Sequence, residues 1–105
     1  MREMKLIVTG GPRDGDEIPL HSEAVLTFGR DEECAVQILD SRLSRAHFRL
    51  ERKSDGVYLW DLNSTNGTFL NGKRTDESYV VPGDVIAVGG TRLSLFAADT
   101  ARLIP

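Results

Sequence analysis

Cysteine is almost missing from this sequence. A single residue, Cys34, among 105 excludes an internal disulfide and suits a reducing compartment, so a cytoplasmic location is expected. With one cysteine and two distant histidines, a structural zinc site lacks its ligands, and neither a metal nor a cofactor is expected. Long apolar runs are missing too. No stretch approaches the roughly 18 apolar residues that a membrane span requires. Met1–Thr9 has mixed charge followed by four apolar residues at most, without the apolar centre and cleavage region of a secretory leader. There is no basic excess: 13 Lys and Arg face 16 Asp and Glu, a formal net charge of −3, which argues against a nucleic-acid partner. Nor does any window sustain a helical period over three turns.

What is present is a rhythm of turns. Ten glycines fall between short apolar runs, the pattern of an all-β domain. The length suits one domain with one modest core. Strands are predicted at Lys5–Thr9, Glu17–Leu20, Val25–Phe28, Val36–Ile38, Ala46–Arg52, Val57–Leu62, Thr68–Leu70, Tyr79–Val81, Val85–Val88 and Arg92–Phe96. In the fifth, Ala46, Phe48 and Leu50 alternate with His47, Arg49 and Glu51, as a half-buried strand requires. Ser54-Asp55-Gly56 then turns the chain into Val57-Tyr58-Leu59-Trp60, a hairpin. Short strands with turn signals at this spacing indicate a sandwich or barrel. The core is expected over about residues 5–97, with 98–105 a loose C-terminal tail.

The polar chemistry is concentrated in three connections: Phe28-Gly29-Arg30-Asp31, Asp40 through His47, and Asp61 through Thr68. Loops held by a rigid scaffold are where binding residues gather. These supply Arg30, Arg42 and Arg45 as cations, with Ser44, Ser64, Thr65 and Asn66 as hydroxyl and amide donors. Planar guanidinium forks beside hydroxyls suit a tetrahedral oxyanion, because arginine gives paired, charge-assisted hydrogen bonds. A phosphate or a carboxylate is the ligand such a set fits.

Gly29-Arg30, then Ser44-Arg45-Ala46-His47, then Ser64-Thr65-Asn66-Gly67-Thr68 and Asn71-Gly72 together resemble the signature of the forkhead-associated (FHA) domain family. The order and spacing match from about Leu6 to Phe96. The resemblance implies an eleven-stranded β-sandwich of two twisted sheets with peptide-binding loops at one apex, in agreement with the strand pattern. It also implies a non-enzymatic module that binds phosphothreonine in products of Ser/Thr protein kinases. By the same resemblance, Arg30, Ser44 and Arg45 bind the phosphate, Thr65 lines the pocket for the phosphate and the threonine methyl, and Asn66 bonds the peptide backbone. Gly29, His47, Gly67 and Asn71 are implied supports, and Arg42 faces the third residue after the phosphothreonine, favouring Asp or Glu there; Leu43 beside it would instead favour an aliphatic residue.

Other readings are weaker. Ser44 and His47 lack the strand-to-helix elbow and third member of a nucleophilic triad. The Gly10-Gly11 and Gly89-Gly90 pairs are not followed by Gly-Lys-Ser/Thr, so they are turns and not nucleotide loops. Tyr58 and Trp60 lie on the strand face opposite Val57 and Leu59, where a second protein interface is expected. The strongest alternative keeps the fold and changes the ligand: a phosphorylation-independent scaffold for protein–protein interaction.

Overall fold

The computed structural model describes residues 2–99. Eleven strands form among them: β1 (Arg2–Thr9), β2 (Glu17–Pro19), β3 (Val25–Gly29), β4 (Val36–Gln37), β5 (Phe48–Lys53), β6 (Gly56–Asp61), β7 (Phe69–Leu70), β8 (Lys73–Arg74), β9 (Glu77–Val80), β10 (Val85–Val88) and β11 (Thr91–Asp99). They build a six-stranded sheet in the order β2-β1-β11-β10-β7-β8 and a five-stranded sheet in the order β4-β3-β5-β6-β9. Every pair is antiparallel except β3 with β4. No helix long and apolar enough to cross a membrane occurs among the described residues.

Period-two alternation decides which side of each strand is buried, and register brings the buried sides together. In the six-stranded sheet Leu6 opposes Leu95, Val8 opposes Leu93, and Ile86 opposes Leu93 from the other side. In the five-stranded sheet Phe28 opposes Phe48, Leu50 opposes Leu59 and Val57 opposes Val80. All of these are buried, so the two inner faces meet as the single core of a sandwich. The Phe28 and Phe48 rings stack with centroids 4.4 Å apart and planes within 5°, which ties β3 to β5 below the loops.

Several boundaries differ from the sequence expectation. β5 begins at Phe48 and not at Ala46; Ala46 is exposed and His47 is wholly buried. The chain bends through residues 45–46, so alternation starts two residues late and the imidazole turns inward to polar partners. β1 starts at Arg2, and β11 continues through Ala98 to Asp99, because Arg2 pairs with Asp99 and Glu3 with Ala98. Residues 98 and 99, expected in the loose tail, are thus paired within β11, and residues 100–105 of that expectation lie outside the described residues. β8 carries no apolar residue, only the exposed Lys73 and Arg74, and had no periodicity to reveal it.

Candidate functional site

The three motif connections emerge at one end of the sandwich, together with the β10–β11 turn at Gly89-Gly90. The first joins β3 to β4. The Arg30 N–H donates to the Ser44 carbonyl at 3.1 Å and the Asp31 N–H to the Arg45 carbonyl at 3.1 Å, lashing this loop to the next. Gly29 makes the approach feasible, since a Cβ there would overlap the Arg45 carbonyl. One edge of the exposed Arg30 guanidinium is oriented by its Nε–H, which donates to the Leu43 carbonyl at 3.1 Å. The rest of the fork is left to face solvent.

Ser44 and His47 sit on the second connection, between β4 and β5. The Ser44 N–H donates to His47 Nδ1 at 3.0 Å. The Nε2 nitrogen therefore carries the ring proton, and it donates to the Gly67 carbonyl at 2.9 Å. The buried imidazole thus bridges the second and third connections. Ser44 Oγ accepts from the Thr65 N–H at 3.0 Å, which leaves the hydroxyl's own proton for an outside acceptor. It is the Ser44 backbone, and not its hydroxyl, that meets the histidine, so this pair is not arranged as nucleophile and base. The Arg45 side chain is exposed, while its carbonyl holds Asp31 and accepts from the Cys34 thiol at 3.1 Å. Burial pushes the Cys34 thiol above its ordinary range, against a backbone hydrogen bond from the Asp31 segment that lowers it.

The third connection, between β6 and β7, is built on Asp61. Its carboxylate accepts from the Ser64 N–H at 3.0 Å, the Ser64 hydroxyl at 2.5 Å and the Thr68 hydroxyl at 2.8 Å. Ser64 Oγ in turn accepts from the Gly67 N–H at 3.1 Å. Burial works against the ionised Asp61, but the Ser64 and Thr68 hydrogen bonds hold its carboxyl below the usual range. Asn63 and Gly67 take the left-handed region, with φ of 57° and 89°; a side chain at Gly67 would also meet the Arg74 guanidinium, with Cβ only 2.8 Å from its Nε. Thr65 and Asn66 are exposed at the tip. Asn66 Nδ2 donates to the Arg42 carbonyl at 2.7 Å, which leaves the amide oxygen free to accept.

Arg42 has a partner that sequence reasoning missed. Asp40, 8% exposed, takes the Arg42 Nε–H at 3.0 Å and an Nη2–H at 2.8 Å in a bidentate pair. It also accepts from the backbone N–H of Arg42 at 2.9 Å and of Gly90 at 3.0 Å. The Arg42 guanidinium and these amides hold the Asp40 carboxyl far below the ordinary carboxylate range. One carboxylate thereby joins the second connection to the β10–β11 turn.

Hydrogen bonding therefore joins Arg30, Arg42, Ser44, Thr65 and Asn66, with His47, Gly29 and Gly67 beneath them. Asn71 stands apart in the β7–β8 turn at φ 51°. There its amide bonds Asp84 and the Val85 N–H, each at 2.9 Å. Tyr58 and Trp60 stand farther still, on the outer face of the five-stranded sheet, with ring centroids 4.5 Å apart and the Arg49 guanidinium 4.6 Å over the indole. Asp40 and Asp61 brace the connections in a way that the sequence did not disclose. The weak signal was an Asp two or three residues before a loop Arg or Ser, the spacing of a side-chain turn. A groove of about 530 Å³ bordered by Met4, Pro19, Arg52 and Phe96 holds none of the motif residues. Among the described residues no group of three His, Cys, Asp or Glu side chains is placed to hold a metal.

The FHA domain profile matches residues 26–89, which span all three connections. The chain belongs to the FHA domain family. It is 34% identical over 91 residues to the FHA domain-containing protein FhaB of Mycobacterium tuberculosis, a match covering 86% of this chain and 58% of that protein; the chain thus spans little more than half the length of that relative. An FHA domain of an Arabidopsis thaliana hypothetical protein superposes with a TM-score of 0.86 at 29% identity, covering 94% of this chain and 88% of that one. A domain solved in a structural and functional analysis of phosphothreonine-dependent FHA domain interactions superposes with a TM-score of 0.80 at 28% identity, covering 90% and 95%.

Proposed function

We propose that this domain binds phosphothreonine-containing segments of partner proteins phosphorylated by a Ser/Thr kinase, and that it acts by recruitment and not by catalysis, in the reducing cytoplasm. The observation that carries the reading is the bonded frame of the loops. Every buried polar group in it is spent on holding the loops, while the outer Arg30 edge, the Ser44 hydroxyl proton, the Arg45 guanidinium and the Asn66 amide oxygen stay unspent. The solved relative studied for phosphothreonine-dependent interactions supports the same ligand.

In this reading Arg30, Ser44 and Arg45 take the phosphate oxygens, Thr65 lines the phosphate and methyl pocket, and Asn66 bonds the peptide backbone. A phosphothreonine brings about −1.5 to −2 charge and three strong acceptors. Charged hydrogen bonds contribute roughly 1.5–3 kcal/mol each, so loss of two weakens binding by about a hundredfold or more. Binding then behaves as a switch on phosphorylation. Discrimination against phosphoserine rests on the threonine methyl, a carbon worth about 1–3 kcal/mol in a fitted niche. Arg42 faces the third residue after the phosphothreonine and selects Asp or Glu through the N–H groups that Asp40 does not occupy; a peptide array varying that position alone tests it, and indifference to charge there overturns it.

Fluorescence-polarisation titration against degenerate phosphothreonine, phosphoserine and unphosphorylated peptide pools tests the central reading, with Arg30→Ala checked by circular dichroism. Saturable binding to the phosphothreonine pool alone, lost in Arg30→Ala, is expected. No binding to any pool by the folded protein would transfer the function to a phosphorylation-independent scaffold and to the Tyr58–Trp60 face.

A further inference from the structure

Beside the loops, the outer face of the six-stranded sheet carries a row of four side chains that the phosphate chemistry does not use. Directly opposed residues of antiparallel strands share a face. Arg92 opposes Ala87, Ala87 opposes Phe69, and Phe69 opposes Arg74. The alternating neighbours Leu93 and Ile86 are fully buried, so the row points outward. Phe69 and Ala87 are half-buried, and Arg74 and Arg92 are exposed. Neither arginine has an ion-pair partner among the described residues. An unneutralised cationic row on a chain of net charge −3 is a local attraction for anions that the overall charge does not suggest.

The row is continuous with the recognition loops. An open pocket of about 350 Å³ is lined by Phe69 and Ala87 of the row together with Arg42, Asn66, Gly67 and Gly89. The Arg74 guanidinium lies against Gly67, at the point where loop passes into sheet. Three strand spacings of about 4.8 Å separate β8 from β11, so the two arginine backbones stand about 14 Å apart. An extended chain covers that distance in about four residues at roughly 3.3 Å each.

We propose that this row extends the phosphopeptide site and binds an acidic–apolar–acidic segment of the same phosphorylated partner. Two carboxylates about four residues apart pair with Arg74 and Arg92, and an aliphatic side chain between them packs on Phe69 and Ala87. The inference rests on the phosphothreonine reading and adds to it a partner chemistry outside the loops. It also gives a reason for the Arg74 position: a cation at the loop–sheet junction takes the segment as it leaves Asn66.

The test uses fluorescein-labelled peptides with one central phosphothreonine in degenerate flanks. One series is short; the others carry Asp-Gly-Leu-Gly-Asp, Ser-Gly-Leu-Gly-Ser or Lys-Gly-Leu-Gly-Lys beyond a three-residue spacer, on either side. At low ionic strength the acidic extension on one side should tighten binding about three- to tenfold over the Ser version, and the Lys version should weaken it. Arg74→Gln with Arg92→Gln should abolish that gain, while the short peptide stays bound with its affinity lowered by no more than about two- to threefold from the loss of two neighbouring charges. Equal binding of acidic, Ser and Lys extensions, with the short peptide still bound, would overturn this inference alone. An acidic gain that survives the double substitution would also overturn it. Failure of the short phosphothreonine peptide to bind would remove the phosphothreonine reading and this inference with it.

Discussion

The two ends of this sandwich are held by different forces. The body is ordered by apolar alternation: Leu6, Val8, Phe48, Leu50, Leu59 and Leu93 are buried because their strands are pleated and their partners face them. The loop end is ordered by buried polar groups. Asp40, His47, Ser64 and Thr68 are buried there, and each is hydrogen-bonded within the motif connections or to the β10–β11 turn; Thr91, the other buried polar residue among those described, has no partner for its hydroxyl and takes no part in this frame. Apolar burial has no direction and tolerates exchange of similar shapes. A hydrogen bond has direction, and a buried group that loses its partner costs about 1–3 kcal/mol. The loop end is therefore the less tolerant region in geometry, although the body supplies most of the stability.

That contrast can be broken experimentally, starting with the largest effect. Phe48→Ala removes a stacked core ring and should destabilise the domain by about 3–5 kcal/mol. Against a total of about 5–15 kcal/mol, this should show as a large drop in the urea midpoint, with phosphopeptide binding lost only as the fold is lost. His47→Ala leaves the Ser44 N–H and the Gly67 carbonyl without their partner and should cost about 2–4 kcal/mol. Here, affinity measured well below the melting temperature should fall as well, because two loops lose their common brace; unchanged affinity in the folded fraction would show that the loops order themselves.

Arg30→Ala reverses the pattern. Binding should weaken by tenfold or more, from about 1.5–3 kcal/mol of charged hydrogen bonding, while the melting temperature stays close to the parent's. A smaller stability effect follows from Asp40 and Asp61, whose carboxyls are held below their ordinary range by Arg42 and by Ser64 and Thr68. The unfolded chain binds protons more readily than the folded one, so stability rises with pH. The contribution is complete above the unfolded carboxylate value of about 3.9, and it is lost as pH falls through the depressed folded values. Urea midpoints measured from pH 7 downward should decline below about pH 4, and Asp40→Asn should flatten part of that decline. The smallest effect is expected from Tyr58→Ala with Trp60→Ala: phosphopeptide affinity should be unchanged, since that face lies outside the bonded frame. Weaker binding by the folded double variant would show that the two regions are coupled.

Much of this was legible beforehand, because the signals are local. Alternation in Phe48 through Glu51 and the turn at Asp55-Gly56 fix a strand and a hairpin within a few residues. Arg30, Ser44 and Asn66 stand in short motifs that bring their chemistry with them. Other features could not be read, because they join distant positions. Asp40 acquires its role from Gly90, fifty residues away, and His47 from Gly67, twenty residues away. β8 has two charged residues and exists only because Phe69 and Leu70 are there to pair with it.

From the sequence alone come the all-β class, the strand count to within one, and the polar loop residues proposed to meet a phosphate, since propensity, period and side-chain chemistry are properties of neighbouring residues. Tertiary structure alone decided which of those groups are free to act. It spent Asp40 on Arg42 and on the Gly90 turn, placed His47 beneath the loops, bound the Ser44 oxygen to the Thr65 N–H, and aligned Arg92, Ala87, Phe69 and Arg74 across four strands. Register is the physical reason: a hydrogen bond or a row on a sheet is defined by the pairing of segments far apart in the chain, and that pairing is settled only when the whole sandwich closes.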